Sequence, residues 1–469
     1  DSRRSGASGV VGVEADSGVY LTETDGELRL VQAHALDGEI RITLPDTADL
    51  DENLTLLGAG AVQYAEGVAG LRDVSHGQIF AETGKVTLFV GDDIRTDANS
   101  EIVAALDVTL YSDHLNADQG FGTTIVLRGR LVAGAIAGTG QPDFSSATHY
   151  FDVFGHTDAD HIDFGDAGGV TGGEVWGDAG YVFIGAKTRA YGSHSADSTD
   201  ADGEDRFRVF YLQSANATTA PASASVGAQH TLRLDGQSGS DSYRVYTLGS
   251  QGADRNYVVN VLDSGAPADG VDELVILGAD APSSQVGVDD IFLLRAMQFI
   301  PDETADAPAF VALLHADSLD DAIDGAGFAA VERVNYDAGI NGRLIVEGQG
   351  GDDTFASDDN RVVTTLDGGA GDDSFQIGQL YGSPRDANAN LLASDAFGDD
   401  TVATTRGYLS RGVSAPLVAL GGSGDDRFTV YSNQAALRLE GNADNDVFVL
   451  RAFALAETDS SGNIVTDGN

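Results

Sequence analysis

Glycine and aspartate recur along this chain at a fixed spacing, and together they suit one kind of chemistry. The run Leu366-Asp-Gly-Gly-Ala-Gly-Asp-Asp-Ser-Phe-Gln-Ile377 has close copies at Val346–Phe355, Leu420–Val430 and Leu439–Leu450, and a looser one at Leu234–Val245. Each reads as apolar strand, glycine-rich turn, aspartate, one residue, apolar residue. The glycines permit positive φ, so the chain turns sharply with carbonyl oxygens directed inward. A hard cation such as calcium takes six to eight oxygens at about 2.3–2.6 Å, from carboxylates and carbonyls. One turn supplies half of that shell, and the equivalent turn one repeat away supplies the other half. Stacked carboxylates repel across the roughly 5 Å between paired strands, so a cation answers both the geometry and the charge. The aspartates in register are Asp241, Asp353, Asp373, Asp426 and Asp446, with weaker copies at Asp160, Asp205, Asp272, Asp289 and Asp400. Asp372 and Asp425 stand directly before two of them as second acids. Plain turn chemistry, with Asp capping its own backbone, is the alternative.

A second cluster holds His149, His156 and His161 among Asp152, Asp158, Asp160 and Asp163. Imidazole and carboxylate are usual zinc ligands. However, Gly155–Ile162 aligns with Gly441–Phe448, which makes the segment one more turn. Catalysis has a single place to look, where the run Arg406-Gly-Tyr-Leu-Ser-Arg411 stands beside Asp399 and Asp400. Acid pairs are too common in this chain to carry much information. No Gly-x-Ser-x-Gly elbow, phosphate-binding loop, dinucleotide fingerprint or His-Glu-x-x-His occurs. The expectation is therefore a protein that is not an enzyme. A polysaccharide-acting β-helix lyase or hydrolase, or a carbohydrate-binding module, is the alternative.

Turns at this spacing need strands on either side. The residue two after each aspartate is apolar, and the one four after usually is, which is period 2 restarted at a fixed offset from a turn. Elsewhere the pattern is also strand and turn, as in Glu39–Leu44, Lys85–Val90 and Thr124–Val132. Val86-Thr-Leu88 recurs as Val108-Thr-Leu110, and Gly26–Leu30 recurs as Gly38–Ile42. The aspartates at 353, 373, 400, 426 and 446 are 20, 27, 26 and 20 residues apart, the size of one β-solenoid coil. The best helical candidate is Asp306–Asp324, with Phe310, Leu313, Leu314 and Ala322 loosely spaced. The expected fold is all-β, a right-handed parallel β-helix or related β-solenoid with coils of variable length. Three stretches are distinguished: 1–145 without Gly-Asp turns, 146–300 with irregular coils and insertions, and 301–469 with Gly-Asp turns.

Composition narrows the function. Of 469 residues, 42% are hydrophobic, enough for a substantial core, while 60 Gly against 9 Pro indicates many tight turns in a folded chain. The net charge is −48, from 74 acidic and 26 basic residues. Such a polyanion repels nucleic acid and anionic membrane surfaces and concentrates divalent cations. An acidic surface suited to high salt is the alternative cause. Cysteine is absent, which excludes disulfides, thiolate metal sites and thiol catalysis. No apolar run of about 18 residues occurs, so membrane insertion is not expected. A start at Asp1 and a finish at Asn469 suggest a piece of a longer or processed product.

The turns Gly348–Ala356, Gly368–Gln376 and Gly421–Thr429 resemble the calcium-binding nonapeptide of the repeats-in-toxin family, glycine-glycine-x-glycine-x-aspartate-x-apolar-x. The stretch Gly84–Gly129 resembles, in strand cadence, the β-helix of filamentous-haemagglutinin-type adhesins. The first resemblance implies a parallel β-roll or β-helix, secretion from a bacterium, and folding driven by calcium outside the cell. Its implied ligands are Asp353, Asp373 and Asp426, with carbonyls near Gly348, Gly368, Gly371, Gly421 and Gly424; Asp446 joins them in a loop with Asn442 and Asp444 at family glycine positions. The expected role is an extracellular structural or adhesive module of a large surface or filament protein, rigidified by calcium. Expected partners are calcium, further copies or continuing coils of the same kind, and a cell-surface polysaccharide, with no nucleic acid.

Overall fold

The computed structural model describes all residues except 1–2, 5–6, 25, 48–50, 64–70, 144–147, 167–181, 186, 199–202, 215–231, 251–256, 267–268, 280–286, 301, 315–330, 379–401, 405–406, 411, 452–455, 459, 462–463 and 467–469. The described chain is all-β, with long parallel sheets and no helix among the described residues. It divides into two compact units. The first comprises Asp1–Asn216, His230–Arg244 and Asp263–Val271; the second comprises Ala217–Gln229, Val245–Leu262 and Asp272–Asn469.

In the first unit the strands fall into three parallel rows. One row runs Val19–Thr22, Ile40–Thr43, Val86–Phe89, Val108–Tyr111, Tyr150–Phe154, Lys187–Tyr191 and Leu232–Asp235. A second runs Leu54–Leu56, Ile94–Thr96, Thr124–Leu127, His161–Phe164 and Arg206–Phe210. The third runs Gly77–Ala81, Ser100–Ala104, Gly129–Val132, Val182–Ile184 and Leu212–Ser214. From Gly77 onward the chain visits the rows in strict rotation, so every third strand pairs. Alternate residues of each strand face inward, and the register stacks like on like. Ile42, Leu88, Leu110, Val153, Ala190 and Leu234 form one fully buried column. The recurrence of Val86-Thr-Leu88 as Val108-Thr-Leu110 is this register, residue upon residue. The recurrence of Gly26–Leu30 as Gly38–Ile42 is not, because those strands pair with different partners.

The second unit uses two rows. Glu273–Leu277, Arg343–Glu347, Thr364–Ala370, Leu417–Ser423 and Leu437–Ala443 form one. Ile291–Ala296, Thr354–Ser357, Ser374–Ile377, Arg427–Val430 and Val447–Leu450 form the other. From Arg343 to Ile377 the two rows alternate, and each 20-residue step is one two-strand repeat. The apolar residue two after each aspartate makes a column of rings, Phe292, Phe355, Phe375, Phe428 and Phe448, stacked 4.7–5.0 Å apart. Offset-stacked rings at this spacing contribute about 0.5–1.5 kcal/mol per pair beyond the area they bury.

One expected element is overturned. Within the helical candidate Asp306–Asp324, Ala309–Leu314 is a strand, antiparallel to both Ile291–Ala296 and Val331–Tyr336. All six of its residues are buried. With both faces covered, a strand reads as a continuous apolar run without period-2 alternation, and such a run imitates loose helical spacing.

Candidate functional site

The Gly-Asp turns join the two rows of the second unit, and their backbone follows from the glycines. Gly369 and Gly422 have φ of +95° and +108°, and Gly371 and Gly424 have +139° and +128°. Where the pattern lacks glycine, Gln349, Asn442 and Asp444 adopt left-handed φ of 74°, 70° and 73°. Asn and Asp tolerate this region better than most residues, which is how the 441–446 turn keeps its shape.

The turns stack so that their aspartates form two rails. On the inner rail, the backbone N–H of each aspartate donates to Oδ1 of the next. Asp290 donates to Asp353 at 2.7 Å, Asp353 to Asp373 at 2.8 Å, Asp373 to Asp426 at 2.8 Å and Asp426 to Asp446 at 3.1 Å. On the outer rail the direction reverses. Asp352 donates to Asp289, Asp372 to Asp352, Asp425 to Asp372 and Asn445 to Asp425, all at 2.8–3.0 Å. The Asp-Asp doublet is thus one rung on each rail, with the first acid exposed and the second buried. The first unit carries an inner rail of its own, in which Thr123 donates to Asp160, Asp160 to Asp205 and Asp205 to Asp241, at 2.7–2.8 Å.

One expected rung is corrected by this register, and another lies outside the described residues. The inner residue near 290 is Asp290, fully buried, whereas Asp289 belongs to the outer rail. Asp400 lies outside the described residues, and Asp373 bonds directly to Asp426. On the inner rail Asp373 and Asp426 are therefore neighbours, although they stand 53 residues apart in sequence.

The remaining oxygen of each inner carboxylate explains the leading glycine. A Cβ on Gly348, Gly368, Gly421 or Gly441 would lie 1.8–2.1 Å from Oδ2 of the aspartate five residues on. Gly155 and Gly236 stand in the same relation to Asp160 and Asp241. The same Cβ positions on Gly348, Gly368 and Gly421 lie 2.7–2.8 Å from the carbonyl oxygen of the next turn's glycine. A carboxylate oxygen and a carbonyl oxygen from adjacent turns therefore face a common space. Oδ2 of Asp353, Asp373 and Asp426 is buried there without a hydrogen-bond donor. Burial, with the neighbouring acids adding to it, pushes Asp353 up to about 8 and Asp373 to about 7, and raises Asp426. An orphaned buried oxygen opposite a carbonyl oxygen fits a hard cation, and it equally fits a proton on the carboxylate.

No family model, curated protein or solved structure matches this chain.

The histidine segment behaves as a turn: the His156 N–H donates to Asp160 Oδ2 at 2.6 Å. His149 sits 3.3 Å from Asp107 instead. Among the described residues no close group of three candidate metal ligands contains a histidine. Arg406, Arg411 and Asp399 lie, like Asp400, outside the described residues. The predicted ligands Asp353, Asp373, Asp426 and Asp446 are brought into line, but no three of their carboxylates converge among the described groups. Convergence occurs in the first unit, at Asp46, Glu52, Asp92, Asp113 and Asp118. Composition pointed past these residues, since 1–145 lacks glycine-rich turns. The available signal was Gly91-Asp92-Asp93-Ile94, a shortened Gly-Asp-Asp turn. Asp92 accepts the N–H of Glu52 at 2.6 Å, as the inner aspartates do from their own neighbours.

Proposed function

We propose that this chain is an extracellular structural or adhesive repeat module, built as a β-solenoid and made rigid by calcium held at its Gly-Asp turns. The observation that carries the reading is the set of orphaned Oδ2 atoms on Asp353, Asp373 and Asp426, each facing a glycine carbonyl of the next turn. Rows of parallel strands in strict rotation support the solenoid, in which each repeat buries its apolar column against its neighbours. Calcium at these turns couples one repeat to the next and offsets the mutual repulsion of the rails. The millimolar calcium outside cells suits sites of modest affinity, and the resemblance to repeats-in-toxin turns points the same way. Neighbouring coils or a cell-surface polysaccharide are the partners such a module would engage.

The test is thermal unfolding of the full chain in calcium and in chelator, with metal analysis of the dialysed protein. The reading expects bound calcium and a higher melting temperature in calcium. Unchanged melting together with no retained metal would mean that the inner carboxylates carry protons and the turns are only turns.

A further inference from the structure

We propose that Asp46, Glu52, Asp92, Asp113 and Asp118, in the first unit, form a second kind of calcium site, independent of the Gly-Asp turns. The acids come from successive levels of the stack. Asp46 and Glu52 lie in the connection after Ile40–Thr43, Asp92 in the short turn after Val86–Phe89, and Asp113 and Asp118 in the long one after Val108–Tyr111. Ligand atoms of Asp46, Glu52 and Asp92 all lie within 4.8 Å of one another, and those of Asp46, Asp113 and Asp118 do the same. Two oxygens on opposite sides of a calcium ion, each at about 2.4 Å, are themselves about 4.8 Å apart. Each group is therefore tight enough to surround an ion, and Asp46 belongs to both.

Acid clusters are expected on a chain of this charge, so the decisive observation is how these side chains are held. Asp113 is 2% exposed, and neither of its carboxylate oxygens has a hydrogen-bond partner. Three others are anchored by one oxygen. Asp46 Oδ2 accepts the Ala117 N–H, Glu52 Oε1 accepts the Thr47 hydroxyl at 2.8 Å, and Asp92 Oδ2 accepts the Glu52 N–H. Asp46 Oδ1 and Glu52 Oε2 are left buried and unpartnered. Gly91 makes the approach possible, since a Cβ there would lie 2.7 Å from Asp46 Cα and 2.9 Å from Glu52 Cβ.

The protein supplies little countercharge. Among the described residues no Arg or Lys pairs with any of the five acids, and the nearest ring nitrogen, His156 Nδ1, is 3.9 Å from Asp113 Oδ2. Burial lowers the His156 pKa, which favours the neutral ring. Burial and mutual repulsion push Asp92 up to about 7 and Asp113 to about 8. A buried acid left without a partner costs several kcal/mol unless something neutralises it. An all-oxygen, carboxylate-rich set suits a hard cation over zinc, and a crowded set of large, uneven reach suits calcium over magnesium, which prefers an octahedron rich in water.

The experiment is calorimetric titration of the full chain with calcium and with magnesium in three forms. These are the parent, a turn variant (Asp353→Asn, Asp373→Asn, Asp426→Asn) and a pocket variant (Asp46→Asn, Asp113→Asn). The turn variant is expected to keep a calcium-binding event that the pocket variant loses or weakens at least tenfold, and magnesium should bind that site at least tenfold more weakly. In chelator the pocket variant should melt no lower than the parent, because it removes buried unpartnered carboxylates; this establishes that it is folded. Calcium binding identical in parent and pocket variant overturns the site while leaving the turns untouched. Equal affinity for the two metals overturns the assignment to calcium. Loss of all binding in the turn variant also overturns the pocket, whereas loss only in the pocket variant overturns the turns instead.

Discussion

Both units line buried aspartates on a rail, and the first also gathers acids from different levels at one point. In the second unit the turns between Glu347 and Thr354, Asp367 and Ser374, Leu420 and Arg427, and Glu440 and Val447 have equal length, and equal turns superimpose. Their acids form lines, one neutral N–H donor per carboxylate. In the first unit the corresponding connections differ: a short one through Gly91-Asp92-Asp93, and long ones after Thr43 and Tyr111. Long loops lie over the short turn, and acids from different levels meet. Equal turns spread charge along a rail; unequal connections, as around Asp92, gather it at a point.

The largest effect should come from the glycine beneath an inner carboxylate. Gly421→Ala places a methyl 1.9 Å from Asp426 Oδ2 and 2.7 Å from the Gly441 carbonyl oxygen, and should destabilise the second unit by about 3 kcal/mol. Equilibrium denaturation monitored by tyrosine fluorescence measures it. A loss below about 1 kcal/mol would show that the rail is not packed as described.

Next in size is the calcium gain. Binding to the folded state alone stabilises by RT ln(1 + [L]/Kd), about 2.7 kcal/mol at a hundredfold excess over Kd. Asp373→Asn with Asp426→Asn should remove part of it from the second unit only. A double-wavelength melt or calorimetric scan that shows the first unit losing its gain instead would reverse the comparison.

The pH dependence follows from the same oxygens. The folded pKa values of Asp353 and Asp373 are raised above the ordinary carboxylate value. Their contribution is therefore fully present below about pH 4 and lost as pH rises toward about 8. In chelator the second unit should melt lower at pH 8 than at pH 5, and saturating calcium should flatten or reverse the slope. A flat profile in chelator would mean that the carboxylates are already neutralised by something else. The smallest effect is expected at Asp444, whose φ is 73°. Asp444→Gly should stabilise by up to about 1 kcal/mol, because glycine adopts that conformation without a Cβ penalty, and a small upward shift in melting would register it.

The all-β class and the strand cadence were legible because period-2 alternation and Gly-Asp punctuation are local signals. Four of the stacked phenylalanines, Phe355, Phe375, Phe428 and Phe448, were legible as well, since each sits two residues after an expected aspartate. The antiparallel strand Ala309–Leu314 was not, because burial on both faces erases alternation. Whether Asp289 or Asp290 belongs to the inner rail was also hidden, because Ile291 and Phe292 are both apolar and either register satisfies the pattern. The gathering of Asp46, Glu52, Asp92, Asp113 and Asp118 depends on loops folding over one another, and acids spread from 46 to 118 carry no spacing rule.

The opposed directions of the two rails bear on how such a chain can evolve. Each rung carries its own N–H for one neighbour and its own carboxylate for the other, so donors and acceptors balance within every repeat. Duplicating or deleting a whole 20-residue unit such as the one separating Asp426 from Asp446 leaves no orphaned bond on either rail. Inserting one residue breaks both rails at once and turns the phenylalanine column out of register. The genetic change that alters length most is thus the one the structure absorbs most easily.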